Sequence, residues 1–399
     1  MQPALRTLPR GVIALGFVSL FMDISSEMIH SLLPVFLVSV LGLSTVAVGL
    51  IEGIAESTAA ITKIFAGVAS DWIGKRKPLV LLGYGMAALT KPLFPLATGA
   101  ATVFTARFLD RIGKGIRGAP RDALVADLTP ERMRGAAYGV RQSMDTIGAF
   151  AGPALAMALM ALSSNNFRFV FWIAVLPAVI SVGFAVFGVQ ESDTHAAGAN
   201  RRFPLQRGEV SRLGFMFFLV VTFAAILTLA RFSEAFLLLR AANVGLPAAY
   251  VPSVLIVMNL VYSASAYPFG HLSDRVDRLL LLAAGIGFLI AADLVLAAAN
   301  AVWLVLAGSM LWGLHMGATQ GLLTTIVAAT APADLRATAF GIFNLVTGGA
   351  LLAASVFAGF LWEVYGPAMT FLAGAIFSTV ALIGLVVLRS RPFDPIPRA

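Results

Sequence analysis

Two short polar segments fix the plan of this chain. Gly67-Val-Ala-Ser-Asp71 and Gly270-His-Leu-Ser-Asp274 lie 203 residues apart, each between long apolar runs and each followed by basic residues. Two further landmarks keep that spacing. Gly42-Leu-Ser is echoed by Gly245-Leu-Pro at 203, and Arg134-Gly-Ala-Ala-Tyr-Gly-Val by Arg336-Ala-Thr-Ala-Phe-Gly-Ile at 202. Chance likeness of apolar segments would not hold charged landmarks in register, so the chain reads as a duplicated unit of six apolar spans. Spans one to twelve are expected at 11–41, 45–71, 78–98, 101–122, 134–162, 167–189, 213–240, 248–273, 279–299, 302–330, 338–362 and 367–388. The longest polar stretch carries Arg201, Arg202, Arg207 and Arg212. It divides the chain into an N-terminal six-helix bundle (1–190), a linker (191–212) and a C-terminal six-helix bundle (213–399).

Composition names the solvent. Hydrophobic residues make up 59% of the 399 residues and charged residues 12%, with a mean hydropathy of +0.90. That is too little charge to cover a soluble domain of this size, so lipid is the expected surroundings. Twelve helices of about 25 residues need about 300 residues, which fits. The net charge of +8 would suit nucleic acid, but its distribution argues against that partner. Of 28 Lys and Arg, 22 fall on one side, only Arg168 and Arg240 on the other, and Lys63, Lys91, Arg107 and Arg231 within spans. The asymmetry is that of cytoplasmic loops, which puts both termini and the linker in the cytoplasm. With no cysteine, disulfides, thiolate catalysis and Cys-based metal sites are excluded. The N-terminus imitates a signal peptide, but its apolar run continues through Asp23 and Glu27 to about Leu41, so it reads as an uncleaved first span.

Three local patterns sharpen this. Gly67 to Lys77 joins spans two and three; Arg107-Phe-Leu-Asp110-Arg111-Ile-Gly113-Lys114-Gly115 lies on span four; Gly148-Ala-Phe-Ala-Gly152-Pro153 lies on span five. Together, over essentially its whole length, the chain resembles the major facilitator superfamily. The patterns match its loop motif, its arginine signature (with Asp110-Arg111 where glutamine-glycine is usual) and its antiporter signature. More narrowly, Asp23-Ile-Ser-Ser-Glu27-Met28-Ile-His30 and the run from Asp110 to Asp127 resemble bacterial members that include nickel-resistance exporters. The resemblance implies an all-α membrane protein with twelve transmembrane helices in two pseudo-symmetric six-helix bundles. It also implies a monomer in the bacterial inner membrane, no cofactor, and a cavity lined by spans one, four, seven and ten.

Charges at membrane depth are costly unless paired or wet, so each asks for a reason. Asp23, Glu27 and His30 fall at i, i+4 and i+7, on one face of span one. They are candidates for protons, a cation or a divalent metal, against a polar stripe tied up in helix contacts. Arg107, Arg111 and Lys114 form a second stripe on span four. The resemblance makes Arg107 the cation that tunes a nearby acid, and physically such a cation beside Asp23 or Glu27 favours the ionised form. Lys114 reads as a snorkelling interface charge.

Span seven offers Arg231 and Glu234 one turn apart, as cavity ligands or as a mutual pair; span ten offers His315, Met316 and Gln320. Ser233-Glu234 echoes Ser26-Glu27 at 207 instead of 203, so the two glutamates are either equivalent through a short gap or displaced by one helical turn. Glu52, Glu56 and Lys63 on span two, and Arg141 and Asp145 on span five, read first as a structural network between bundles. Lys91 and Asp293 have no partner assignable from sequence. Gating falls to Gly67, Asp71, Arg76 and Arg134 in one half and Gly270, Asp274 and Arg336 in the other. In that reading each Asp meets the positive N-terminus of a helix from the opposite half, near Arg336 for Asp71 and near Arg134 for Asp274. Gly148, Gly152 and Pro153 would let helices approach and bend.

The reading that follows is a secondary transporter, not an enzyme, working by alternating access. It exchanges protons for a small cationic toxicant, a divalent metal such as nickel or a cationic drug. Asp23 and Glu27 are the exchanging acids, with His30, Arg231, Glu234 and His315 as further ligands. The alternatives are an organic-anion carrier using Arg107, Arg231 and Lys114, or a membrane-embedded enzyme. The scattered histidines and the lack of a phosphate-cradling glycine loop speak against the enzyme.

Overall fold

The computed structural model describes residues 8–191, 212–273, 275–332 and 335–390. Most of the expected linker, 192–211, lies outside them. The described residues are helical throughout, with turns between. Ten helices are long and apolar enough to cross a membrane. The other two passages are spans three and four. The α-helix of span three, Lys77–Thr90, is short and continues as the 3₁₀ turn Lys91–Leu93, because Pro92 and Pro95 remove backbone donors. Span four, Ala100–Asp127, is a 28-residue helix too rich in charge to register as apolar, and it runs through Pro120. Twelve passages therefore stand, as expected. Their outer faces carry the apolar side chains that lipid demands: Phe187 is 90% exposed, Leu162 83% and Leu89 79%.

Two passages are broken where continuous helices were expected. Span one is Arg10–His30 followed by Leu33–Ser39, and Pro34 at the start of the second piece explains the interruption. Span seven is Phe215–Ala230 followed by Ala235–Asn243. No proline or glycine lies in that gap. A tertiary bond holds it instead: the Ser233 amide donates to Ser355 Oγ at 3.1 Å, while Ser233 Oγ accepts from the Ala235 amide at 3.3 Å. Both broken passages end at a glycine in the left-handed region, Gly42 at φ 65° and Gly245 at φ 93°, which a side chain would strain. These glycines share the 203-residue offset. In that register Glu234 falls opposite Ser31, so it is displaced by one helical turn from the position of Glu27.

The chain divides into two compact units. The first holds residues 1–42, 54–203 and 248–253; the second holds 43–53, 204–247 and 254–399. In the first unit, Val12, Leu15, Val18 and Met22 of span one bury against Val80 and Tyr84 of span three and Ala178 and Ala185 of span six. The polar residues of span one are absorbed by carbonyls: Ser25 Oγ donates to Ala174 O and Ser181 Oγ to Val18 O, both at 2.6 Å. In the second unit, the first turns of span two pack on span eleven. Gly49 and Gly53 there face Ser355 and Leu352, and Thr45 Oγ1 donates to Gly359 O at 3.0 Å. A second cluster joins Phe217 and Val221 of span seven to Val327 and Ala339.

Arg168 and Arg240, set apart from the other basic residues by the charge distribution, are loop anchors. Arg168 donates to the carbonyls of Pro95 and Ala97. Arg240, buried, donates to those of Leu296, Ala297 and Ala299 at 3.0, 3.1 and 2.7 Å, closing the end of span nine onto span seven. Arg240→Ala strands three carbonyls and is expected to lower stability by about 2–4 kcal/mol, given the worth of charge-assisted bonds. Thermal unfolding of the detergent-solubilised protein measures it; an unchanged midpoint would remove the anchor from the account.

Candidate functional site

The acids of span one are seated by the glycines of span five. A Cβ added at Gly148 would stand 2.8 Å from Asp23 Cβ, and one at Gly152 would stand 2.7 Å from Glu27 Cβ. Gly148 and Gly152 are buried and one turn apart on the helix Arg134–Leu162, as Asp23 and Glu27 are on theirs. Backbone therefore meets backbone, and both carboxyl side chains emerge beside the seam half-buried. Pro153 is buried inside the same helix, which continues through it. His30 lies one turn beyond, its Nδ1 3.6 Å from Glu27 Oε2.

Two cations of span four reach across to span two. Arg111 Nη2 binds Glu56 Oε1 of span two at 2.8 Å, and Arg107 Nη2 stands 3.8 Å from the same oxygen. Both arginines are buried. Lys114, one turn beyond Arg111 on the same helix, is exposed. Arg107 pairs with Glu56, a contact that helical spacing within one span cannot show.

Lys91, without a partner by sequence, is the most enclosed cation in this unit. Its Nζ donates to Asp110 Oδ1 at 2.8 Å and to Ser26 Oγ at 3.0 Å, so spans one, three and four meet at one ammonium. Elsewhere in this unit, Arg141 binds Asp145 at 2.6 Å and lies 3.7 Å from Asp122, while Arg121 reaches Asp122 at 3.2 Å and Ser19 Oγ at 2.8 Å.

The candidate gate residues divide. Arg76 Nε binds Asp127 Oδ2 at 2.6 Å, and the amides of Arg76 and Lys77 donate to the Glu191 carboxylate at 3.0 Å, which caps span three. Arg134 contacts its neighbours Glu131 and Ala126 O. Gly67 faces Ala119 of span four. Asp274 lies outside the described residues, as do the side chains of Asp71 and Arg336.

In the second unit, Arg231 and Glu234 stand at the two edges of the break in span seven. Tyr262 Oη donates to Gln320 Oε1 of span ten at 3.0 Å. Gly270, Tyr262, Phe269, Met316 and Gln320 line a cavity of about 290 Å³ between spans eight and ten. His315 is fully buried, its Nδ1 2.8 Å from Gly285 O and its Nε2 without a hydrogen-bond partner. Among the described residues, no three His, Asp and Glu side chains form a metal-ligand group. Asp23, Glu27 and His30 run along one helix face, and the first two are held on separate glycines.

Because Lys91 and Asp110 are both enclosed, removing one leaves the other uncompensated. Lys91→Ala is expected to cost about 3–5 kcal/mol, and the double variant Lys91→Met with Asp110→Leu to recover most of it. Unfolding midpoints of the three proteins test this; equal loss in single and double variants would show that the pair does not act as a unit.

Comparisons with known proteins agree with this architecture. Residues 15–257 and 213–399 match the sequence pattern of the Major Facilitator Superfamily. An uncharacterized MFS-type transporter of Methanocaldococcus jannaschii is 32% identical over 394 residues, covering 96% of this chain and 95% of its own. The multidrug resistance protein MdtH of Yersinia enterocolitica is 28% identical over 159 residues, 40% of this chain and 39% of its own. The crystal structure of the nucleoside transporter NupG superposes with a TM-score of 0.73 at 12% identity, covering 95% of this chain and 98% of that one, a likeness of fold. The chain thus belongs to the Major Facilitator Superfamily and is a multi-pass membrane transporter.

Proposed function

We propose that this transporter is a proton-coupled antiporter that exports small organic cations, with Glu27 and Asp23 as the exchanging carboxyls. The observation that carries the reading is the seating of both acids on Gly148 and Gly152. That contact fixes their backbone while leaving the carboxyls half-buried and reachable. Antiport needs an acid that holds either a proton or a cation and releases one on taking the other.

An organic cation is favoured over a metal ion because Asp23, Glu27 and His30 make no ligand group among the described residues. The partial likeness to a protein named for multidrug resistance supports the same cargo class. It is favoured over an organic anion because Arg107 and Arg111 are both directed at Glu56. In this reading the protein works by alternating access as a monomer in the inner membrane, with both termini cytoplasmic.

The test is flux in liposomes carrying the purified protein, with ethidium as the cation and an imposed pH gradient. Ethidium is expected to move against the proton flow and to stop when an uncoupler collapses the gradient; unchanged flux would make proton coupling wrong. Glu27→Gln is expected to reduce gradient-driven exchange to background, and normal turnover would remove Glu27 from the mechanism. Nickel(II) flux in place of ethidium would move the cargo class to metals.

A further inference from the structure

We propose that Asp293 is a proton-binding site of the C-terminal unit, separate from the carboxyls of span one. Asp293 lies on the span-nine helix Arg278–Ala298 and is 0% exposed. Neither Oδ1 nor Oδ2 has a hydrogen-bond partner. The carboxyl points at Gly374 of span twelve, where an added Cβ would come within 2.6 Å of Oδ2 and 3.1 Å of the Phe232 ring. Gly374 is therefore the opening that admits the group. Phe232, in the break of span seven, closes the same face and packs on Trp312 and Phe371 with ring centres 5.6 and 5.5 Å apart.

No cation on the neighbouring elements serves this carboxyl. Span twelve carries no ionisable residue from Pro367 to Val386. Span ten carries only His315, whose Nδ1 is engaged with Gly285 O, about two turns along span nine from Asp293. On span seven, Arg240 is committed to the carbonyls of Leu296, Ala297 and Ala299, and Arg231 and Glu234 stand at the two edges of the break. On span nine itself, Arg278 is at the far end of the helix.

An ion in this setting would have neither counter-charge nor donor, and at membrane depth that is the costliest arrangement a carboxyl can adopt. A purely structural carboxyl would bond something, and this one bonds nothing. The chemistry left to it is to hold one proton on an oxygen and to release that proton to water. Release requires water to reach the group, and the break at 231–234, closed by Phe232, is the nearest stretch of span seven that is not helix-bonded. The site deepens the proton half of the proposed antiport but does not depend on the cargo.

Infrared spectroscopy of the full-length protein in lipid at neutral pH tests it without transport. The carbonyl stretch of a protonated carboxyl should be present, should shift in heavy water, and should be lost in Asp293→Asn while persisting in Glu27→Gln. If the Asn variant does not fold, Asp293→Glu should move the band instead of deleting it. Spectra in which this band is absent from the wild type, or is untouched by both Asp293 variants, would overturn the proposal. Because no gradient is involved, that result would leave the ethidium experiment to be judged on its own.

Discussion

A charge in hydrocarbon must find a partner inside the protein, and the N-terminal unit is organised around that demand. Lys91 ties span three to Asp110 on span four and Ser26 on span one. Arg111 and Arg107 tie span four to Glu56 on span two. Arg121 and Arg141 join spans four and five through Asp122 and Asp145. Such pairs contribute little net stability over apolar replacements, since desolvation offsets much of their attraction. Their consequence is register: each helix fits its neighbour only where its charge meets the opposite one. Asp23 and Glu27 stay outside these pairs between spans, with His30 3.6 Å from Glu27 on the same helix, and a transporter can use carboxyls in that position.

The glycines of span five give the second half of this arrangement. Gly148 and Gly152 let span one approach until Cβ atoms of the acids nearly touch the facing backbone. Any side chain there would push span one outward and move both carboxyls with it. The helix-five pattern is therefore a positioning device for span one as well as a packing motif. That explains why its glycine spacing repeats the spacing of the two acids.

Much of the fold was legible because lipid imposes it. Apolar runs of span length, basic loops on one side and landmarks at a constant offset all follow from the solvent and from duplication, and the twelve passages stand. The break in span one had a visible cause in Pro34. The break in span seven had none, because it is made by Ser233 and Ser355, 122 residues apart. The site was legible as a list of residues but not as a set of contacts. Helical spacing put Asp23, Glu27 and His30 on one face correctly. It could not show that Glu56 would draw Arg107 and Arg111, or that Lys91 would meet Asp110. Those pairings are set by how spans pack, and a period of 3.6 residues within one span says nothing about a neighbour.

The duplication has kept backbone landmarks and let chemistry diverge. Gly42 and Gly245 still end the broken passages at the same offset, since only glycine takes that turn without strain. Aligned on them, Glu234 stands opposite Ser31 and sits in the break itself, whereas Glu27 lies inside a helix and against a glycine. The first unit pairs Lys91 with Asp110, Arg111 with Glu56 and Arg141 with Asp145. The second leaves Asp293 and the Nε2 of His315 bare and buried. Two halves built on one plan thus differ in their chemistry: the first joins its spans through ion pairs, whereas the second buries a carboxyl that meets no cation among the described residues.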